Sequence, residues 1–519
     1  MRNSIIILLF GLFISLTSCR TDFETVPSTG SLEFSAKTVY LDTIFANIGS
    51  STYQLKVYNR SNNDIRIPEI KLGKTDSKYR ITVDGMTGKN NRSFENVELL
   101  ANDSLYIFIE TTVNITETES DFTYNDKILF DVGTNQQSVD LVTLVRDVIF
   151  IKPNRDLNTK LYETISVNGF VDDEDKPLRG HTLVGDELIW KKDKPYVVYG
   201  NAVVPNGSTL IIEPGAQVYF HYGAALIVDN GAKIDIQGEL NETDSEGNIT
   251  NRREVTFEGD RLEPIYENVP GQWGTIFILS GSASGITNEI DYLTLKNATV
   301  GLFVLSNINN NTPNLVIKNS QIYDCSDFGI LARKSNITGS NLVINTAGQA
   351  CLGATLGGSY DFTHCTFNNN WNSTTQVAIL INDYFETKTE IYYSDLVKAD
   401  FKNCIIYGNN NIELSIEKKL AEIFNPKFEN CLVKFNEINT QLASNTYYND
   451  VRNQQLGNIK NKDPKFQNLN RNILKIMEDS PAIGKSNPLY STFSDILNHP
   501  RPTVGSTNSD IGAYQFITE

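Results

Sequence analysis

The chain has few of the residues that serve soft-metal and redox chemistry. Its 519 residues include four histidines, three methionines, three tryptophans and six cysteines. Six cysteines over that length do not form a disulfide framework. None of them makes a Cys-x-x-Cys pair, so a zinc site of the usual spacing is not expected. Basic residues are outnumbered, 45 against 62 acidic, for a formal net charge of −17. Such a balance leaves no basic face for nucleic acid. No apolar run reaches the roughly 20 residues of a membrane-spanning helix.

The chain is 40% hydrophobic and 21% charged, with Ile, Leu, Val, Phe and Tyr spread along it. That composition supports two or three domains with buried cores and excludes disorder for most of the length. Short β-prone runs dominate, and the expected class is all-β.

Residues 1–18 read as a signal peptide. Arg2 is followed by a mostly apolar stretch, Ile5 to Leu16, of signal-core length. It ends Leu16-Thr17-Ser18-Cys19, which matches the bacterial lipobox of an aliphatic residue, two small ones and Cys. The resemblance implies cleavage after Ser18 and acylation of Cys19, the expected lipidation site. Several acyl chains hold a protein to a bilayer where one does not. Removing residues 1–18 deletes one basic residue and leaves a net charge of −18. Residues 19–29 read as a polar tether. Asp22 and Glu24 partly match the acidic export signal of Bacteroidetes surface lipoproteins. The implied location is the outer membrane, facing outward.

Over residues 30–150, apolar and polar residues alternate with period two, as in Tyr53–Tyr58, Leu105–Ile109, Ile128–Val132 and Val139–Val145. Turn clusters at Asn59–Asp64, Asp84-Gly85 and Ala101–Ser104 separate these runs. The pattern predicts a β-sandwich. Phe45, Tyr58-Asn59 and Asp103-Ser104 resemble the Ig-like modules of bacterial envelope proteins. Residues 151–195 read as a connector. Its acidic run Asp172–Asp175 lacks the spaced order of a calcium loop and reads as solvated.

From 196 to 479 short apolar triplets recur between Gly and Asn turns, as at Leu210–Ile212, Val218–Phe220, Leu226–Val228 and Ile234–Ile236. A second mark starts at Asn319, Gly339, His364, Asn403 and Asn430, in steps of 20, 25, 39 and 27 residues. A period in the twenties predicts a parallel β-solenoid of about twelve coils, with an insertion in the 39-residue step. Cys325, Cys351, Cys365, Cys404 and Cys431 are read as small inward residues, with their disulfide state left open. Residues 480–519 read as a cap on the solenoid's unpaired end.

Asn206–Gly215, Gly259–Arg261, Pro270–Gly274 and the closing segments Ser480–Gly484, His499–Pro502 and Asp510–Tyr514 resemble right-handed parallel β-helix proteins. Together with the lipobox and the sandwich, the chain resembles a group of Bacteroidetes envelope lipoproteins. The resemblance implies an architecture, not an activity.

Few residues point to chemistry. Asp324 with Asp327, and Asp383 with Glu386, are the candidate carboxylate pairs. Arg333-Lys334 is the conspicuous basic pair. His181, His221, His364 and His499 have no nucleophile at a recognised spacing, and Arg501 reads as a buried partner of Asp495 or Asp510. Trp273 and Trp371 read as packing rather than sugar platforms. No catalytic, cofactor or metal residue is expected. The expected function is a lipid-anchored, non-catalytic rod that binds glycan or an envelope protein. The alternatives are a lyase or glycoside hydrolase on the same β-helix, or a structural subunit of an outer-membrane assembly.

Overall fold

The computed structural model describes residues 24–114, 121–167, 178–279, 285–306, 312–502 and 508–518. Cys19 and the run Asp172–Asp175 lie outside the described residues. The chain forms two units, 1–147 and 148–519.

The first unit is an Ig-like β-sandwich. One sheet holds Val26–Pro27, Thr38–Phe45, Ile65–Leu72, Ser93–Leu99, Asp121–Phe130 and Gln137–Arg146; the other holds Glu33–Phe34, Tyr53–Tyr58, Tyr79–Val83 and Ser104–Thr111. Period-two alternation puts Leu41, Ile67, Phe130 and Leu141 of one sheet against Leu55, Ile81 and Ile107 of the other. The expected tether ends earlier than residue 29. Val26 and Pro27 pair with Ile65 and Arg66, and the Ser28 hydroxyl donates to Asp131 at 2.7 Å. Asn59 is a turn anchor: its side-chain amide donates to the carbonyls of Asn63 and Leu100.

The second unit is a parallel β-helix. Among the described residues, three parallel sheets of eleven, nine and nine strands wind through it, giving nine complete three-strand coils rather than twelve. It begins earlier than expected. Ile149–Ile151, Gly180–Thr182 and Ile189–Trp190 pair with the next coil, so the expected connector supplies the first coil. These strands are two and three residues long, too short to show a period.

In-register stacking explains the core. In the first sheet Val218, Phe257, Leu295, Ile322, Ile344, Phe367, Ile406 and Val433 form one inward column, fully buried. In the third sheet Phe401 stacks between Phe362 and Phe428, with ring centroids 5.6 and 5.2 Å apart. Removing one such ring costs about 3–5 kcal/mol.

The corner before five successive first-sheet strands repeats a left-handed residue: Asn319, Asn341, His364, Asn403 and Asn430, with φ from 45° to 55°. Asn tolerates that conformation through its short polar side chain. The equivalent of Asn319 is therefore Asn341, not Gly339, and the true steps there are 22 and 23 residues. Next in line, Cys365, Cys404 and Cys431 are free, buried thiols. The 39-residue step contains a hairpin, Tyr384–Glu386 with Ile391–Tyr393.

The segment expected to cap the end lies elsewhere. On the outer face of the first sheet one column runs Gln217, Thr256, Thr294, Gln321, then Val343, Thr366, Ile405, Leu432. Where it turns apolar, the C-terminal segment covers it as a strap. Leu474, Ile496 and Ala513 bury Val343, while Ile476, Ala482 and Ile511 bury Ile405 and Leu432. The strap also hydrogen-bonds the corner asparagines. Asn341 donates to the Ser494 carbonyl, and Asn403 exchanges two bonds with the Asn487 backbone. Arg501, 3% exposed, is buried as expected near the charges of Asp495 and Asp510, and its hydrogen bonds go to the carbonyls of Asp510 and Gly512 and to Asn341. The C-terminal end of the stack is closed by Tyr448 and Val451, with Tyr448 stacked on Phe435 at 5.0 Å.

One buried carboxyl holds its proton far more tightly than usual. Glu413 stands fully buried with Cys351 and Ala378 in the core, and burial pushes its carboxyl up to about 8. Between its ordinary 4.5 and about 8 the unfolded chain loses the proton and the native chain keeps it. Stability therefore falls as pH rises through that window. Each tenfold change in proton affinity is worth about 1.4 kcal/mol. Glu413→Gln is expected to raise the urea midpoint at pH 8 and to leave it nearly unchanged at pH 4.5.

Candidate functional site

The strap does not reach the early coils, and a cleft opens at its edge. The cleft has a volume of about 340 Å³ and is built from three distant parts of the second unit. Its floor is the outer face of the first sheet, with Thr256, Glu258, Thr294, Lys296 and Tyr323. One wall is Glu267-Asn268, and the strap residues Arg471 and Asn472 close another side.

Each part is held in place by its own sequence. Outward residues of adjacent strands stand about 4.8 Å apart, so Glu258 and Lys296 meet directly, with Nζ 2.7 Å from the carboxylate. Beside them the Thr294 hydroxyl donates to Glu254 at 2.9 Å, and Gln321 donates to Thr294. Two amides pin the 260–272 loop. Asn297 donates to the Glu267 and Val269 carbonyls, both at 3.0 Å, and Gln272 donates to the Tyr266 and Val269 carbonyls. Gln272 belongs to the Pro270–Gly274 landmark, and its neighbour Trp273 stacks on Phe220 in the core.

Asp324 lies behind Asn472, one of the residues that line the cleft. It is a left-handed residue (φ 53°) one short of the end of its first-sheet strand, Gln321–Cys325, and it is 4% exposed. Burial pushes its carboxyl up to about 6; the Asn472 amide and Lys296 oppose the rise, and Glu267 adds to it. All three of these neighbours line the cleft. Asn472 Nδ2 donates to Asp324 at 3.0 Å, in a chain of amides running Asn368 to Asn345 to Asn472 to Asp324. A carboxyl that titrates near 6 is able both to give and to take a proton near neutral pH.

The remaining charges divide clearly. Glu258 is tied to Lys296, and Glu254 to Thr294. Among the described residues, the side chains of Glu267 and Arg471 make no hydrogen bond or ion pair, and both are exposed. The cleft thus presents one carboxylate and one guanidinium that are uncommitted among the described residues, and a buried carboxyl of raised proton affinity lies behind its Asn472.

The other residues singled out in the sequence lie elsewhere. Asp327 accepts from Gln349. Asp383 is fully buried and accepts from the backbone N–H groups of Lys419, Leu420 and Ala421, a structural role. Glu386 lies on the hairpin, 3.5 Å from Lys419. Arg333 is stacked against Phe385 at 3.8 Å and Phe303 at 5.3 Å. Lys334 occupies a corner with φ 49°. Each histidine is engaged: His181 by Glu163 and Glu187, His221 by Asp260, His364 by Asn403 and His499 by Asp495. Lys296, Glu267, Arg471 and Asn472 were not visible as a group, because 175 residues separate Lys296 from Arg471. The one signal was the pair of landmarks flanking the 260–269 loop.

No protein-family model matches the chain, and no curated protein matches it. Among solved structures, it is similar to the catalytic unit of a thermostable GH87 α-1,3-glucanase from Streptomyces thermodiastaticus. The identity is 12% over 73% of this chain and 78% of that one, with a TM-score of 0.26. The ASH/PapD-like domain of human CEP192 is 12% identical over 24% of this chain and 89% of that one, TM-score 0.16. A family 123 glycoside hydrolase from Clostridium perfringens is 7% identical over 25% of this chain and 28% of that one, TM-score 0.18.

The Asn472 amide stabilises the ionised form of Asp324, so its loss favours the protonated form. Asn472→Ala is expected to move the Asp324 titration upward from about 6, read by carboxyl carbon NMR shifts. An unmoved titration would show that the amide does not control this carboxyl.

Proposed function

We propose that the chain is a lipid-anchored protein of the outer membrane, displayed at the cell surface, whose β-helix binds saccharide in the cleft around Lys296. One observation carries the reading: a polar cleft of small-molecule size in which acceptors and donors are fixed by their own pairings before a ligand arrives. About 340 Å³ lies at the lower end of the range for small-molecule sites, about 300–1,000 Å³. A sugar offers many hydroxyls, each both donor and acceptor. Fixed carboxylates, an ammonium and an amide meet such groups with little ordering cost. The net charge of −17 disfavours polyanions and favours a neutral saccharide. A second reading is contact with an envelope protein. It is favoured by exposed apolar side chains around the hairpin, including Tyr392, Val397, Leu420 and Ile423.

Two measurements test the proposal. Calorimetry with laminarin, xylan and chondroitin sulfate is expected to find a neutral polysaccharide that binds, and Lys296→Ala is expected to weaken it at least about tenfold, about 1.4 kcal/mol. Binding unaffected by Lys296→Ala removes the cleft as the site. Separately, Cys19→Ala is expected to move the protein from the membrane to the soluble fraction. Retention in the membrane would refute the acyl anchor.

A further inference from the structure

We propose that the loop from Lys152 to Glu163 is a bilayer contact: its leucine tip enters the lipid surface, and the cations around it meet anionic phosphate headgroups. This rests on the reading of the chain as a membrane-held protein and is independent of the cleft. Leu157 and Leu161 are 81% and 70% exposed, and Tyr162 is exposed beside them. A lone exposed leucine needs no partner, but these three project from one turn. The turn is closed on itself. Arg155 and Tyr162 face each other in an antiparallel bridge. The Asp156 N–H donates to the Leu161 carbonyl and the Lys160 N–H to the Asp156 carbonyl, both at 3.0 Å. The Asp156 carboxylate accepts from the N–H groups of Asn158 and Thr159. The Arg155 guanidinium and the Lys160 ammonium each donate to a carbonyl of the turn. The tip is therefore shaped before it meets a partner, and little order is lost on contact.

Charge identifies the partner. The chain has a formal net charge of −17, yet Lys152, Arg155, Lys160 and Arg179 are exposed around this loop without a carboxylate partner among the described residues. The two acidic residues of the loop are engaged: Asp156 within the turn, and Glu163 by Asn154 and His181. The Tyr162 ring lies between the guanidinium groups of Arg155 and Arg179, 5.2 and 5.0 Å from its centre. Leucines at a tip, a tyrosine behind them and a ring of cations match the layers of a bilayer surface. Apolar side chains suit the acyl boundary, tyrosine the headgroup level, and Lys and Arg the phosphates. A protein partner would have to supply an apolar socket with an acidic rim, whereas an anionic bilayer presents both. Two leucines and a tyrosine bury less than a set of acyl chains, so the contact orients the second unit at the membrane and does not retain the chain by itself.

The test uses the full acylated chain, reconstituted in phosphatidylcholine vesicles with and without phosphatidylglycerol. Leu157→Cys carries an environment-sensitive fluorophore. Cys325, Cys351, Cys365, Cys404 and Cys431 are buried and do not compete for the label. The reference is Ile438→Cys, 76% exposed near the other end of the stack. On vesicles with phosphatidylglycerol, quenching of the label at 157 by acrylamide is expected to fall at least about threefold, with the label at 438 unchanged. Arg155→Glu combined with Arg179→Glu is expected to remove most of that protection. A label at 157 that stays as open as the one at 438 on floated vesicles overturns the tip contact and leaves the acyl anchor standing. Equal protection on both kinds of vesicle overturns the role given to the cations. A chain that does not float with either vesicle removes the membrane reading and the tip contact together.

Discussion

The β-helix depends on coils stacked in register, so that each position on one coil lies over its equivalent on the next. A hydrogen-bonded parallel ladder holds neighbouring strands about 4.8 Å apart, close enough for like side chains to touch. Every column then has to be filled with groups that tolerate their own kind. Inside, the columns are Val, Ile, Leu and Phe. At the corner the column is Asn, which accepts left-handed backbone and bonds to its neighbour. Asn341 donates to Asn319, and Asn319 donates to Asp291, both at 2.9 Å. One coil alone would leave all of these faces bare; stacked, they satisfy one another.

The same register places the cleft. The outward column of the first sheet is polar through Gln321 and largely apolar from Val343 onward. The strap follows the apolar part, because Leu474, Ile476 and Ile496 find cover there and would find none over Gln217 or Thr256. Its edge therefore falls where the column changes character. Arg471 and Asn472 arrive there beside Lys296 and Tyr323. The site is a boundary between a covered and an uncovered face, set by the outward residues of a few short strands.

Much of this was legible and part was not, for identifiable reasons. The triplets at Leu210–Ile212 and Leu226–Val228 repeat often enough to show a coil. The strands at Gly180–Thr182 and Ile189–Trp190 are short and flank a charged run, so the first coil passed for a connector. Gly339 passed for a corner because it is a glycine, whereas the corner is Asn341. The strap passed for an end cap because what it covers, Val343 and Ile405, gives no sign in the sequence of which way it faces. Asp324 was recognisable as an acidic turn residue. Its partners Glu267 and Asn472 were not, since only the winding of the chain brings them to it.

Two buried carboxyls show how one physical effect leads to different outcomes. Glu413 and Asp324 are both taken out of water, and both hold their protons more tightly for it. Glu413 sits in the core with Cys351 and Ala378, so its displaced ionisation appears as a cost in stability. Asp324 lies one side chain away from an open cleft, and the groups that tune it, Asn472, Lys296 and Glu267, face that cleft. Its ionisation is therefore tuned by residues that line the cleft. Burial of a carboxyl recurs in this stack: Asp383 is also fully buried, and there three backbone N–H groups hold it. Asp324, at the edge of the strap, is held instead by the side-chain amide of Asn472.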